Sequence, residues 1–234
     1  VECLVADPSA DCSEHCIDLS SDDIDCFSAS FKIYNSNGNE VENSTIIETE
    51  NIFVAIFMQN LPDSLEGIII NLEYNSSFLS LDSVSFNPSG VEAEGELTSE
   101  LNNSNELFVS VDSTSVDSTI FTAVMYAANE PYQGNGGNIL FLEFAPLGNS
   151  GDSTVLNYNK VQINEHVMKE QNYTSQVIYF GDCNAVFEGD AYIDECGECV
   201  GGNTGIVDCD LSNNEYQLIP KDYHLSQNYP NPFN

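Results

Sequence analysis

Apolar and polar residues alternate in short runs from residue 29 to residue 181, with Gly, Asn, Asp and Ser between the runs. The runs lie at 31–34, 52–58, 67–74, 78–86, 107–111, 120–127, 139–144, 154–158, 161–163 and 177–180. Alternation with a period of two places successive side chains on opposite faces of a β-strand. No stretch keeps the spacing of an amphipathic helix. We therefore expect an all-β fold, an antiparallel β-sandwich or jelly roll of about nine strands, flanked by small disulfide-rich segments.

The run at 52–58 is apolar on both faces. One face carries Ile52, Val54, Ile56 and Met58, and the other carries Phe53, Ala55 and Phe57. A strand that is covered on both faces reads as a continuous apolar run. We expect this strand to be central in its sheet and to end at the break Asn60-Leu-Pro-Asp63.

The charge balance excludes several classes of partner. The chain has 38 acidic residues against four lysines, no arginine, and a net charge of -34. Nucleic acids and anionic membranes need cationic contacts, and bidentate phosphate binding needs arginine, so none of these is expected. Such a surface repels itself unless cations screen it. Two interpretations stay open, namely a solubility adaptation to a saline habitat and specific use of calcium.

The eight cysteines form two sets of four that are separated by a long cysteine-free stretch. The first set is Cys3, Cys12, Cys16 and Cys26, and the second is Cys183, Cys196, Cys199 and Cys209. Even clusters of cysteine in a secreted chain are typical of disulfides. Four cysteines allow three pairings, and the sequence does not choose among them. Zinc bound by the second set is the alternative, and it would need thiolates that stay reduced.

The alternating region resembles the cohesin modules. The segment Gly67-Ile-Ile-Ile-Asn-Leu-Glu-Tyr74 followed by Asn75-Ser-Ser-Phe-Leu-Ser-Leu-Asp82 is similar to the family pattern G-x-x-x-x-(I/L)-x-Y-(D/N)-x-x-x-L. The strands at 137–144 and 177–181 are similar to later strands of the family. The resemblance implies a nine-stranded jelly roll over residues 29–181 that binds calcium-loaded dockerin modules through one sheet face. It does not assign that face to named residues here.

Residues 182–210 resemble the DCNGxxGGxAxIDxCGxCxGGNTG repeats of secreted bacterial proteins, which are related to thrombospondin type 3 calcium repeats. The chain departs from that pattern where Ala185 and Glu188 replace glycines, and these replacements disfavour tight turns there. The segment is too short for a hydrophobic core of its own, so we expect disulfides to hold it.

Closely spaced acids in this repeat suit calcium, because calcium prefers hard oxygen ligands. The candidate ligands are Asp182, Asn184, Asp190, Asp194, Asp208 and Asp210. No EF-hand spacing is complete among them. The alternative is a disulfide-stapled spacer without a bound ion.

The last ten residues, Leu225-Ser-Gln-Asn-Tyr-Pro-Asn-Pro-Phe-Asn234, resemble the opening of the C-terminal sorting domain of proteins exported by the type IX secretion system. The matching residues are Asn228, Tyr229, Pro230, Asn231, Pro232 and Phe233, with Asn234 after them. The resemblance implies export across the outer membrane to the cell surface or medium. We therefore divide the chain into an N-terminal Cys-rich arm (1–28), the sandwich (29–181), the acidic repeat (182–210), and a linker with the start of the sorting signal (211–234).

The sequence contains no catalytic motif that we can assign, so we expect a protein that is not an enzyme. His15, His166 and His224 lie in separate regions, and no metalloprotease, nucleophile-elbow or Walker pattern occurs. Tyr126, Tyr132 and Tyr173 are candidates for stacking on sugars, although tyrosine more often packs in a core.

Five Asp-Ser pairs match the Asp-(Ser/Thr) O-glycosylation pattern of exported proteins of this kind. Their serines are Ser64, Ser83, Ser113, Ser118 and Ser153. Chance matches are common in a chain so rich in Asp and Ser.

Three functions follow from these patterns. The first is a structural or adhesive surface protein that contacts copies of itself or neighbouring surface proteins, as a filament or surface-layer subunit. The second is a cohesin-type scaffold for dockerin-bearing enzymes. The third is a carbohydrate-binding module.

Overall fold

The computed structural model describes residues 27–62, 65–91, 107–115, 117–127, 131–132 and 136–209. The predicted disulfide cysteines Cys3, Cys12, Cys16 and Cys26, the candidate ligand Asp210, and the predicted sorting signal lie outside these residues. The chain divides into two compact units, Val1–Gly189 and Asp190–Asn234. The predicted division of the chain into four segments stays a prediction.

Thirteen strands occur in the described residues. They are β1 (Ser28–Tyr34), β2 (Thr45–Ile47), β3 (Ile52–Gln59), β4 (Gly67–Tyr74), β5 (Leu79–Ser85), β6 (Leu107–Ser115), β7 (Ser118–Tyr126), β8 (Gly136–Pro146), β9 (Ser153–Ile163), β10 (His166–Val167), β11 (Gln176–Gly181), β12 (Tyr192–Ile193) and β13 (Cys199–Val200). The helical turns in the described residues are the 3₁₀ segments Glu42–Ser44 and Glu170–Asn172. No helix in this part of the chain has the length and apolarity to cross a membrane.

The first unit contains two sheets. The four-stranded sheet has the order β1-β3-β8-β5, and all its pairs are antiparallel. The seven-stranded sheet has the order β2-β11-β9-β4-β7-β6, and β10 also pairs with β9. Its strands are antiparallel except that β2 runs parallel to β11.

One continuous core lies between the two sheets. Buried side chains of both sheets belong to a single cluster, which makes the unit a β-sandwich. Phe31 on β1 stacks on Tyr158 of β9 with ring centroids 4.3 Å apart. The Tyr158 hydroxyl donates to the Ser30 carbonyl at 2.9 Å, so the buried phenol keeps a partner. Burial raises the pKa of Tyr158 well above its ordinary value. The predicted all-β sandwich is confirmed.

The expectation of a central strand at 52–58 is also confirmed. β3 lies between β1 and β8, and its inward side chains are at most 2% exposed. A second, smaller cluster covers its outer face, where Val91 packs with Tyr34, Ala55 and Phe141. The strand is therefore apolar on both faces because both faces are covered.

Five strands differ from the expectation. The runs at 154–158 and 161–163 form the single strand β9, which stays paired with β4 through a register shift opposite Asn71 and Leu72. β2, β10, β12 and β13 were not predicted, because two or three residues are too few to show a period.

The second unit contains a short hairpin. Tyr192 pairs with Val200 and Ile193 pairs with Cys199. Its buried apolar side chains in the described residues are Ala191 and Val200. So small an apolar core supports the expectation that this segment depends on its disulfides.

Candidate functional site

Four of the nine large apolar side chains that are exposed in the described part of the first unit lie at one edge of the seven-stranded sheet; the others are Leu147, Val155, Val167, Tyr179 and Phe187. Phe108 is 61% exposed, Val111 48%, and Val109 and Tyr126 41% each. Phe108, Val109 and Val111 belong to β6, and Tyr126 ends the neighbouring strand β7. We call these four residues the β6 patch.

Two aromatic rings of the β6 patch lie nearly parallel. The Phe108 and Tyr126 ring centroids are 5.9 Å apart, with 12° between the ring planes. The burial pattern of β7 shows which way these rings point. Its side chains at 119, 121, 123 and 125 are buried, and the side chains between and after them are not. Tyr126 and Val124 therefore face outward, away from the core.

An apolar row crosses the outer face beside these rings. Phe108 pairs with Val124, Val124 pairs with Ile69 of β4, and Ile69 pairs with Gln162 of β9. Cross-strand neighbours on one face contact each other. The outward apolar surface thus extends from the β6 edge across three strands and ends at Gln162.

The next rows on this face are polar. One contains Ser110, Thr122, Asn71 and Lys160, and the next contains Asp112, Ile120, Glu73 and Asn157. Glu73 accepts hydrogen bonds from the Ser118 hydroxyl at 2.5 Å and from the Asn159 amide at 3.3 Å. The apolar row therefore has a polar border on one side, as interaction patches commonly do.

The sequence did not single out the β6 patch. The run Leu107-Phe-Val-Ser-Val111 has apolar residues on both faces of the predicted strand, as the run 52–58 does. Such a pattern favours a buried strand. Among the described strands, this one instead lies at the edge of its sheet, and its side chains from Phe108 to Ser115 are exposed.

Only one of the three tyrosines that were candidates for stacking on sugars is largely exposed. Tyr126 is 41% exposed, whereas Tyr132 is 7% exposed and donates its hydroxyl hydrogen bond to the Tyr126 carbonyl at 2.9 Å. Tyr173 is partly buried, and its ring centroid lies 5.5 Å from that of Tyr158. Burial, and then the nearby Glu170 charge, raise the pKa of Tyr173.

The candidate calcium ligands Asp182 and Asp194 are both buried, and each closes a tight turn. The Asp182 Oδ1 atom accepts the backbone N–H groups of Asn184 at 2.9 Å and Val186 at 3.0 Å. The Asp194 Oδ1 atom accepts those of Cys196 and Glu198, both at 2.9 Å. These are side-chain to backbone turns of the kind that Asp favours.

Asp194 has a further role in its loop. Its Oδ2 atom accepts the Cys209 N–H at 3.0 Å, so one carboxylate joins both ends of the loop. The hydrogen bonds from Cys209, Glu198 and other backbone N–H groups lower the pKa of Asp194. Hydrogen bonds to the charged form have this effect.

The second cysteine set is disulfide-bonded. Cys196 and Cys209 form one disulfide with their Cα atoms 6.3 Å apart, and Cys183 and Cys199 are each disulfide-bonded as well. The zinc alternative for this set is therefore wrong, because zinc binds thiolates and these sulfurs are oxidised.

The described residues do not by themselves complete a calcium shell. Among them, the one group of three His, Cys, Asp or Glu side chains close enough to share an ion is Asp194 with Cys196 and Cys209. Both cysteines are in a disulfide, and calcium needs about six to eight oxygen ligands. Asn184, Asp190 and Asp208 are exposed, and Asp208 Oδ2 accepts the Tyr192 hydroxyl at 2.9 Å. The calcium site stays a prediction.

The candidate glycosylation serines differ in access. Ser83, Ser113 and Ser153 are exposed, although the Ser83 hydroxyl donates to Glu143 at 2.7 Å. Ser118 is partly buried and donates its hydroxyl to Glu73. Ser64 lies outside the described residues. The three exposed serines are the more accessible to a modifying enzyme.

Two surface cavities of the first unit have volumes of about 280 and 270 Å³. Ligand pockets commonly have volumes of about 300–1,000 Å³, so both cavities fall below that range. His166 is exposed on β10, and His15 and His224 lie outside the described residues.

The comparisons with known proteins give only distant likenesses. No family model and no curated protein matches the chain. Among solved structures, a cohesin module of a family 33 glycoside hydrolase from Clostridium perfringens matches with 12% identity and a TM-score of 0.44, covering 67% of this chain and 97% of that one. A non-cellulosomal cohesin from Archaeoglobus fulgidus has 13% identity and a TM-score of 0.40, covering 64% and 91%.

A third similar structure is a type I cohesin–dockerin complex from Clostridium thermocellum. It has 12% identity and a TM-score of 0.43, and the match covers 64% of this chain and 99% of that one. Likenesses this distant carry no argument about a partner.

Proposed function

We propose that this chain is a non-enzymatic extracellular structural or adhesive protein whose sandwich makes protein–protein contacts. Copies of the chain associate through the β6 patch, as subunits of a filament or surface layer. The observation that carries the proposal is the exposed apolar surface at the β6 edge of the sheet, where Phe108 is 61% exposed.

The chemistry of this patch contrasts with the rest of the chain. The protein carries a net charge of -34, and none of the four residues of the β6 patch is charged. Phe108 and Tyr126 expose apolar surface on the outer face of this edge, and Val109 and Val111 expose it on the opposite face. Exposed apolar surface on a soluble protein commonly marks an interaction site, and aromatic residues are enriched at the centres of interfaces. Removing these side chains from water would favour association.

Sedimentation velocity over a range of protein concentrations tests this proposal. We expect the sedimentation coefficient to rise with concentration in about 0.5 M salt, where a short Debye length screens the charge. The double variant Phe108→Ser/Tyr126→Ser should weaken association about tenfold or more, since aromatic anchors dominate interface energies.

The matched control is Leu147→Ser. Leu147 is 54% exposed but lies after β8, outside the seven-stranded sheet. It should leave association unchanged. A chain that stays monomeric at every concentration would overturn the proposal. Binding of a calcium-loaded dockerin or a glycan array by that monomer, lost in the double variant, would then favour the scaffold or the carbohydrate-binding function.

The extracellular location is part of the proposal. The disulfides of Cys183, Cys196, Cys199 and Cys209 are of a kind that persists in oxidising compartments. The sequence at 225–234 supports export by the type IX system, and the acidic repeat supports calcium as a bound ion. Mass spectrometry of the culture medium and surface fraction of the native host would test the location.

A further inference from the structure

β6 has a free side in the described part of the chain. The strand pairs with β7 along Leu107–Ser115, and it has no second neighbour among the described strands. An edge strand presents unpaired backbone N–H and C=O groups that can template another strand.

Both faces of this edge are open as well. Val109 and Val111 point to the same side as Ala123 and Phe121, their partners on β7. Those partners are fully buried, whereas the two valines are 41% and 48% exposed. β6 therefore extends beyond the covered core, so a strand added beside it would continue both faces of the sheet.

β6 lacks most of the features that prevent edge pairing. Natural edges commonly carry lysine, proline or inward-pointing charge. β6 has none of these, and its one charged residue, Asp112, points outward. A register irregularity lies only at its end, between Ser113 and Ser115. The stretch from Leu107 to Ser113 is a regular, nearly uncharged edge.

We propose that β6 pairs antiparallel with β6 of a second copy, which joins the two seven-stranded sheets across a two-fold axis. The proposal rests on the proposed function, and it names the partner and one contact; because a two-fold contact closes on two copies, a filament or layer of these pairs needs a second contact elsewhere. The charge distribution favours a second copy as the partner. A basic partner would call for an acidic edge, and β6 has only one acidic residue. An uncharged edge instead lets two copies of a polyanion approach with the least repulsion.

The side chains of two antiparallel β6 strands can also face each other without a clash of charge. Centring the pairing on Ser110 places Val109 opposite Val111 of the second copy, and Asp112 opposite Phe108. Centring it on Val111 places Asp112 opposite Ser110 of the second copy. The Ser110 hydroxyl already donates to Asp112 within one strand at 3.4 Å. Neither register places acid against acid.

Hydrogen–deuterium exchange of the unmodified chain tests the contact without any substitution. Dilute and concentrated samples are compared in the same high-salt buffer. We expect slower exchange in the peptide covering 107–115 on concentration, since a new ladder would protect the β6 amides that face away from β7. Protection confined to other segments, in a chain that does associate, would overturn the strand pairing and leave the proposed function intact.

The variants Val109→Asp and Val111→Asp supply a second test. Each should weaken self-association about tenfold or more, because each adds one negative charge per copy to the paired edge and the pairing would bring these charges close together. Val155→Asp is the matched control, since Val155 is 40% exposed on β9 of the same sheet. Equal effects of all three variants would overturn the pairing. A chain that is monomeric in every condition would overturn the pairing and the proposed function together.

Discussion

At the scale of single residues, one kind of turn occurs three times in the described residues. Asn35, Asp182 and Asp194 each accept, through the side-chain Oδ1, the backbone N–H groups two and four residues ahead. In each turn the backbone N–H three residues ahead also donates to the carbonyl of that Asn or Asp. The same local hydrogen bonds thus form in the sandwich and in the acidic repeat.

The fourth residue of each turn has a left-handed backbone. It is Gly38 in the first turn, with φ 80°, and Gly197 in the third, with φ 81°. The second turn has Ala185 there, with φ 56°. The departure from the repeat pattern at Ala185 therefore does not remove the turn. Instead it imposes on alanine a conformation that glycine adopts at much lower cost.

Ala185→Gly should stabilise the protein. Glycine removes the free-energy cost of the left-handed alanine backbone, and it also makes the unfolded chain more flexible, which favours unfolding. Because the first effect is larger, we expect the free energy of unfolding to rise by about 0.5–1 kcal/mol. For a chain of this size a gain of 1 kcal/mol raises the melting midpoint by about 2–4 °C. Differential scanning calorimetry measures the shift of the first unit's transition.

Gly197→Ala is the reciprocal control for this prediction. A Cβ at Gly197 would meet nothing within 4 Å, so the substitution changes the backbone preference alone. It should destabilise the second unit. An unchanged or lower midpoint for Ala185→Gly would show that the left-handed alanine is not strained.

At the scale of elements, the sequence predicted strands well and their neighbours poorly. The runs 52–58 and 107–111 each have apolar residues on both faces of the strand. The first is the buried central strand β3, and the second is the exposed edge strand β6. Periodicity reports which side chains share a face. It does not report whether another strand lies beside that face, because strand order depends on contacts distant in the chain. The β6 patch could not be predicted for this reason.

The turn at Asp194 could be predicted in part from its sequence. Asp and Gly three residues apart, here Asp194 and Gly197, are typical of side-chain-capped turns. The bond from Cys209 to Asp194 could not be predicted, because it depends on how the loop closes on itself. The same acidic residue that suggested a calcium ligand thus serves as a backbone acceptor.

The hairpin β12–β13 should loosen in acid through Asp194. Hydrogen bonds from backbone N–H groups, first that of Cys209, lower the pKa of Asp194 below its ordinary value of 3.8. A lowered pKa in the folded state stabilises the fold above the unfolded-state pKa, and that contribution is lost as the pH falls through the folded pKa. The protection factors of the Cys196, Glu198 and Cys209 amides, measured by NMR against unstructured peptides at the same pH, should therefore fall below about pH 3.8.

Asp194→Asn tests the assignment, because the amide cannot titrate. The variant should keep the acceptor for Cys196 and Glu198, lose the one for Cys209, and show little dependence on pH in this range. Glu195→Gln is the matched control, since Glu195 is exposed beside it. The same pH profile in Asp194→Asn as in the unmodified chain would contradict the role of Asp194.

At the scale of the whole molecule, composition and topology place opposing forces on association. The net charge of -34 keeps copies apart, while the β6 patch favours contact. The charge could be read directly from the sequence. The patch emerged only from the fold, because it combines residues of β6 and β7. The ionic strength of the solvent sets the balance between charge repulsion and apolar contact.

Self-association should therefore strengthen as salt increases. The Debye length falls from about 30 Å at 0.01 M ionic strength to about 3 Å at 1 M, which removes most repulsion between the copies. Apolar contact is not weakened by this screening, so the association constant from sedimentation equilibrium should rise across the series. An association driven by opposite charges would show the reverse trend, and that trend would exclude the apolar contact. Calcium and sodium chloride at equal ionic strength separate screening from specific binding. A larger effect of calcium, reversed by a chelator and absent with magnesium, would assign a bound ion to the assembly, whereas equal effects would leave the charge with a purely repulsive role.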